Sequence, residues 1–64
     1  MVRINGAEQD AAGKTIAQLI EEGGYKPERV AVELNFEIVP KSAYTDTTVK
    51  DGDSVEIVGF VGGG

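Results

Sequence analysis

Apolar and polar positions alternate in several short stretches of this chain. Met1-Val2-Arg3-Ile4 places Val2 and Ile4 on one face and runs into Asn5-Gly6. Asn-Gly accepts the positive backbone angles of a type I′ turn, so the pattern predicts a β-hairpin. Its return strand, near Ala7 to Ala12, is poor in apolar residues and is expected at a sheet edge. Ile16, Leu19 and Ile20 then recur at helical spacing and form one apolar stripe. Thr15 and Gln18 have the spacing of a capping box, and Gly23-Gly24 supplies the stop. So short a helix is not stable alone in water and must lie on a sheet.

The second half returns to alternation. Val30, Val32 and Leu34 share one face, with Glu33 on the other. Asn35-Phe36-Glu37 reads as a turn and Ile38-Val39-Pro40 as a short strand that the proline ends. Ser42 to Thr47 is polar, which suggests a turn or a single helical turn, and Asp51-Gly52-Asp53 is another tight turn. Ser54 to Phe60 is the strongest strand; if Val55 and Ile57 point inward, Glu56, Val58 and Phe60 face away from the helix. The order ββαβββ implies an α+β layer with a mixed sheet packed on one main helix, in which the last strand can run parallel beside the first.

Length and charge narrow the function. Sixty-four residues make one small domain, in which almost every aliphatic side chain is needed for the core. Eleven acidic against six basic residues give a net charge of −5, which repels nucleic acid and anionic membranes and suits a basic protein surface. With no cysteine and no histidine, the chain offers no thiol nucleophile, zinc–thiolate site or Ser-His-Asp triad. There is no apolar run long enough for a membrane span and no basic-then-apolar signal segment, so a cytoplasmic location is expected. An independent enzyme is not expected.

Two motifs fail on inspection. Gly13-Lys14-Thr15 ends like a phosphate-binding loop, but Glu8 stands where the first glycine belongs. Asp46, Asp51 and Asp53 lack calcium-loop spacing, because Thr48 and Lys50 take ligand positions and Asp51 takes that of the required glycine. No metal site is expected.

Gly62-Gly63-Gly64 is the remaining feature. The sequence divides into a domain over 1–60 and an expected flexible glycine tail over 61–64. Extended, that tail reaches roughly 13–14 Å at about 3.3–3.6 Å per residue. Lacking Cβ atoms, its glycines fit a narrow channel, so Gly62 and Gly63 are candidate tail-binding residues and the Gly64 carboxylate a candidate reactive group. Activation by ATP would turn that carboxylate into a mixed anhydride open to a sulfur or amine nucleophile. Glu56, Val58 and Phe60 beside the tail form a candidate docking surface.

These residues together resemble the sulfur carriers of the thiamine pathway, the ThiS family of the ubiquitin-like β-grasp superfamily. The resemblance runs over Met1 to Gly6, Lys14-Thr15 with the Ile16/Leu19/Ile20 helix, and Val30 to Asn35 with Glu37 to Pro40. It continues through Val49 to Asp53, Val55 to Val58, and Phe60 to Gly64. Tyr44 stands where the family often carries tryptophan. The resemblance implies that a ThiF-like adenylyltransferase activates Gly64 with ATP and magnesium. Sulfur from a cysteine desulfurase or another donor then gives a thiocarboxylate, and a ThiG-like thiazole synthase takes up the sulfur. It implies no permanently bound cofactor and a free monomer. The alternatives are a carrier like the small subunit of molybdopterin synthase, a protein-conjugating modifier, or a non-catalytic interaction module.

Overall fold

The computed structural model describes residues 1–60. Strands β1 (Val2–Ile4) and β2 (Ala7–Gln9) form the first hairpin. Its loop is Asn5-Gly6, with φ 50° and 85°, the two left-handed residues that a type I′ turn requires. β2 ends at Gln9, earlier than the alternation suggested. Ala11 instead turns inward, its amide N–H donating to the Gln9 carbonyl and its side chain entering the core.

Helix α1 (Ile16–Glu22) begins with the capping box expected from Thr15 and Gln18. The Gln18 amide donates to Thr15 Oγ1 at 3.1 Å, and the Thr15 amide to Gln18 Oε1 at 2.8 Å. At the other end Gly24, at φ 80°, lets the Tyr25 N–H reach back to the Ile20 carbonyl and its own N–H to Glu21. These two bonds are the Schellman arrangement. Ile16, Leu19 and Ile20 are all buried, at about 1.5–3 kcal/mol each, which offsets the weakness of a seven-residue helix.

A 3₁₀ turn over Pro27–Arg29 leads into β3 (Val30–Leu34), which pairs with β4 (Glu37–Val39). Only Asn35 and Phe36 form that loop, so Glu37 belongs to the strand. Pro40 lies past the strand end, at the start of a second 3₁₀ turn over Lys41–Ala43. β5 (Ser54–Gly59) completes a five-stranded sheet in the order β2-β1-β5-β3-β4. β5 runs parallel to β1 and antiparallel to β3. One face of the sheet carries α1; the other, called the outer face below, lies open.

The stretch between β4 and β5 does more than the polar turn expected from Ser42 to Thr47. Its Tyr44 and Val49 are core residues. Val49 exchanges backbone hydrogen bonds with Gly13 and Lys14, and Thr47 accepts from Ile16, so this segment clamps the entry of α1. Val2, Val30, Val32, Val39, Val55 and Ile57 supply the sheet's side of the core, and none of its buried side chains is polar or charged among the described residues.

Candidate functional site

The site is built outward from β5, the central strand. Val55 and Ile57 are buried, as the alternation required, while Glu56 is exposed on the outer face. Val58 is 58% exposed and Phe60 45%. In the β3–β5 register Val58 lies opposite Ala31 and Glu56 opposite Glu33. Residues directly across an antiparallel pair share a face, so the outer face presents two facing carboxylates beside an apolar step of Val58 and Ala31. Glu56 and Val58 therefore lie along one strand on the side away from α1, and Phe60, also exposed, follows directly past the strand's end.

Two contacts fix the point where the chain leaves the sheet. The Phe60 N–H donates to the Arg29 carbonyl at 3.0 Å, holding the chain one residue beyond β5. On the inner side, Gly59 occupies the position after Ile57 in the alternation, and the ring of Tyr25 lies at van der Waals distance from where its Cβ would stand. A Cβ built on Gly59 would lie 3.9 Å from Tyr25 Cε1, and one built on Gly23 would lie 2.8 Å from Cε2. The ring is thus held between the C-cap of α1 and the last residue of β5. Tyr25 also lines a groove of about 350 Å³ with Ile4, Asn5, Leu19 and Ile57, whose one charged lining residue, Glu22, is engaged by Lys14 at 2.8 Å.

The opposite end of β5 is tied by a polar cluster. Asn35 donates to Asp53 Oδ1 at 3.0 Å and accepts from the Ser54 N–H at 3.0 Å. The Lys50 N–H donates to Asp53 Oδ2 at 2.8 Å. The Asn35 side chain, then the Lys50 amide, hold the Asp53 carboxyl below the usual carboxylate range. Asp53 is thus a turn anchor, and Asp51 pairs with the N-terminal amine. Among the described residues no cluster of acidic side chains forms a metal site, and no helix is long and apolar enough to cross a membrane.

Sequence reasoning missed three positioning residues. Tyr25 lies between α1 and β3 in a stretch without a period, and its one signal is its place directly after the Gly23-Gly24 stop, where an apolar residue commonly packs back on the helix. Asn5 looked like turn chemistry alone. Its side chain accepts from the Ile57 N–H at 2.7 Å and donates to the Ile57 carbonyl at 3.1 Å, extending the β1–β5 ladder after the backbone has turned away. Asn35 does comparable work for β5 from the second hairpin. Gly62, Gly63 and Gly64 lie outside the described residues, as does the expected tail over 61–64.

Residues 2–64 match the ThiS family. The chain belongs to that family. Its members are the sulfur carriers of thiamine biosynthesis. The sulfur carrier protein ThiS of Thermus thermophilus is 39% identical over 64 residues, covering all of both chains. The crystal structure of the thiamine biosynthesis protein ThiS from Geobacter metallireducens superimposes with a TM-score of 0.77 at 39% identity, covering 98% of this chain and 97% of that one. The mixed five-stranded sheet on one helix is therefore the ubiquitin-like β-grasp fold of ThiS. A thiazole synthase of Paramagnetospirillum magneticum is 52% identical over 62 residues. This chain spans 19% of that protein's length, against 95% of its own.

Proposed function

We propose that this ThiS-family chain carries sulfur as a thiocarboxylate on Gly64 and acts as a co-substrate rather than a catalyst. A free carboxylate is a poor electrophile. In the proposed cycle an adenylating enzyme joins the Gly64 carboxylate to AMP from magnesium-bound ATP and releases pyrophosphate. A sulfur nucleophile then displaces AMP. Sulfide gives the thiocarboxylate directly. A persulfide supplied by a cysteine desulfurase gives an acyl disulfide, whose S–S bond a thiol then cleaves to release the thiocarboxylate and form a new disulfide. Thiazole synthase takes up the sulfur and returns the carboxylate. ATP and magnesium belong to the activating partner's reaction.

The observation that carries this reading is the course of β5. The central strand of the sheet is the last described element, three residues in sequence before Gly62-Gly63-Gly64, and its end is anchored by the Phe60–Arg29 hydrogen bond and the Tyr25 ring. A rigid body with a docking face beside its exit point is what a carrier needs to deliver a terminal group into another protein's site. Glu56, Val58 and Phe60 form that docking face. The thiazole synthase relative, a fifth of whose length resembles this chain, supports thiazole synthase as the acceptor. A domain that binds its target and delivers its last residues there needs no catalytic side chain of its own.

ATP–pyrophosphate exchange by the adenylating enzyme tests the proposal. The chain is expected to support exchange, and removal of Gly64 is expected to abolish it while leaving binding to that enzyme measurable. Exchange that survives the deletion would reject Gly64 as the activated residue. Binding without any exchange by the intact chain would favour an interaction module instead.

A further inference from the structure

Both hairpins use two consecutive left-handed residues, but they meet that demand differently. The first uses Asn5-Gly6. The second uses Asn35-Phe36, with φ 52° and 70°. Glycine takes such angles freely, whereas a bulky aromatic residue there brings its Cβ against its own backbone. Asn35 has a structural reason to be present, since its side chain ties the turn to Asp53 and Ser54. Phe36 has none inside the fold, for it is 86% exposed. Two positions on, Ile38 is 77% exposed on the outer face, opposite Glu33, which in turn faces Glu56. A strained turn thus holds a large apolar side chain in solvent next to a second one.

The surrounding charge points to what would cover them. Glu33 and Glu56 are exposed on this face and take part in none of the ion pairs among the described residues. Asp53 lies beside the turn, with Lys50 the one cation acting on it. Arg3, on the same face, is already paired with Glu8 at 3.2 Å. A second copy of the chain would set these carboxylates against their own counterparts, so self-association on this face is disfavoured.

We infer that Phe36 and Ile38 anchor a protein partner whose surface offers an apolar socket rimmed by lysine or arginine. The inference rests on the carrier reading and adds a second contact to it. Phe36 follows Asn35, which bonds Ser54 at the start of β5, whereas the tail leaves from the other end of that strand. Five steps of about 3.3 Å separate the two ends of the six-residue strand by roughly 17 Å. A standard interface of about 800 Å² per partner spans that distance. Contacts at both ends of β5 would fix how the sheet sits on the partner, and hence the direction in which the residues after Phe60 enter it.

The test is isothermal titration calorimetry of the chain against the adenylating enzyme and against thiazole synthase, at low and high salt, with thermal melts alongside. Phe36→Gly is expected to keep or raise Tm, because it relieves the turn, and to weaken binding to at least one of the two proteins by about tenfold or more. Phe36→Leu, which keeps an apolar side chain, should retain most of the affinity. Binding by the unmodified chain should weaken as salt rises. Phe36→Gly binding to both proteins within about twofold of the unmodified chain would overturn the anchor alone. Failure of the unmodified chain to bind either protein would overturn the carrier reading and the anchor with it.

Discussion

Replacing Gly23 by alanine tests whether the Tyr25 ring is held as tightly as the exit geometry implies. Gly23 has φ −79° and ψ −4°, angles that any residue adopts, so the backbone itself does not demand glycine. Alanine at a helical position should stabilise by up to about 1 kcal/mol relative to glycine. The added Cβ, however, would lie 2.8 and 2.9 Å from two ring carbons of Tyr25 and 3.3 Å from the Leu19 carbonyl oxygen. Real contacts of this kind are longer, so the ring must shift by roughly 0.5–1 Å, a gap that forfeits about a quarter to a half of the van der Waals attraction it had. A large aromatic side chain buries on the order of 150–250 Å². With Tyr25 37% exposed, its packing is worth roughly 2.5–4 kcal/mol at about 25 cal/mol/Å². The shift therefore costs about 0.6–2 kcal/mol, and over most of that range it exceeds the helix gain. Gly23→Ala should destabilise by about 0.5–1 kcal/mol in the parent, but stabilise by about the same amount when Tyr25 is already alanine. Urea unfolding of the four proteins in this double-mutant cycle measures it. An effect of the same sign and size in both backgrounds would refute the claim that Tyr25 is clamped between Gly23 and Gly59.

Two further outcomes follow from the site. The lowered Asp53 pKa means that its contribution to stability is present above the ordinary carboxylate value of about 3.9 and is lost as pH falls through the lower folded-state value. Urea unfolding between pH 6 and pH 2 should therefore show a smaller acid loss for Asp53→Ala than for the parent, and equal losses would contradict the turn-anchor role. Val58→Ser with Phe60→Ser should leave Tm within a few degrees, because both side chains lie outside the core, yet raise the concentration of chain needed for half-maximal pyrophosphate exchange. Unchanged exchange kinetics would remove these two residues from the docking face.

The parts of the fold that sequence made legible are those with a local cause. Alternation in β3 and β5 assigned Val30, Val32, Val55 and Ile57 to the core and Glu56 and Val58 to the opposite side, and the Thr15–Gln18 box marked the start of α1. Tyr44 and Val49 escaped because single inward residues in an irregular polar stretch carry no period. Asn5 escaped for a different reason. Its bonds to Ile57 exist only because β1 and β5 lie side by side, a long-range pairing that no local pattern encodes. The same holds for Tyr25 between Gly23 and Gly59, and for the facing carboxylates of Glu33 and Glu56, which depend on the β3–β5 register. The turn at Asn35-Phe36 was legible, but its left-handed backbone was not. A left-handed turn is read from glycine or asparagine, and an aromatic residue at that position conflicts with the local rule.

Intact-mass spectrometry would read the proposed sulfur on Gly64 itself. The 64-residue chain would be incubated with its adenylating enzyme, ATP, magnesium and a sulfur source, then fragmented. The expected result is a mass change equal to one oxygen replaced by sulfur, located on Gly64 and absent when ATP is omitted. An unchanged mass in the presence of an adenylating enzyme shown to be active on another carrier would contradict the proposal.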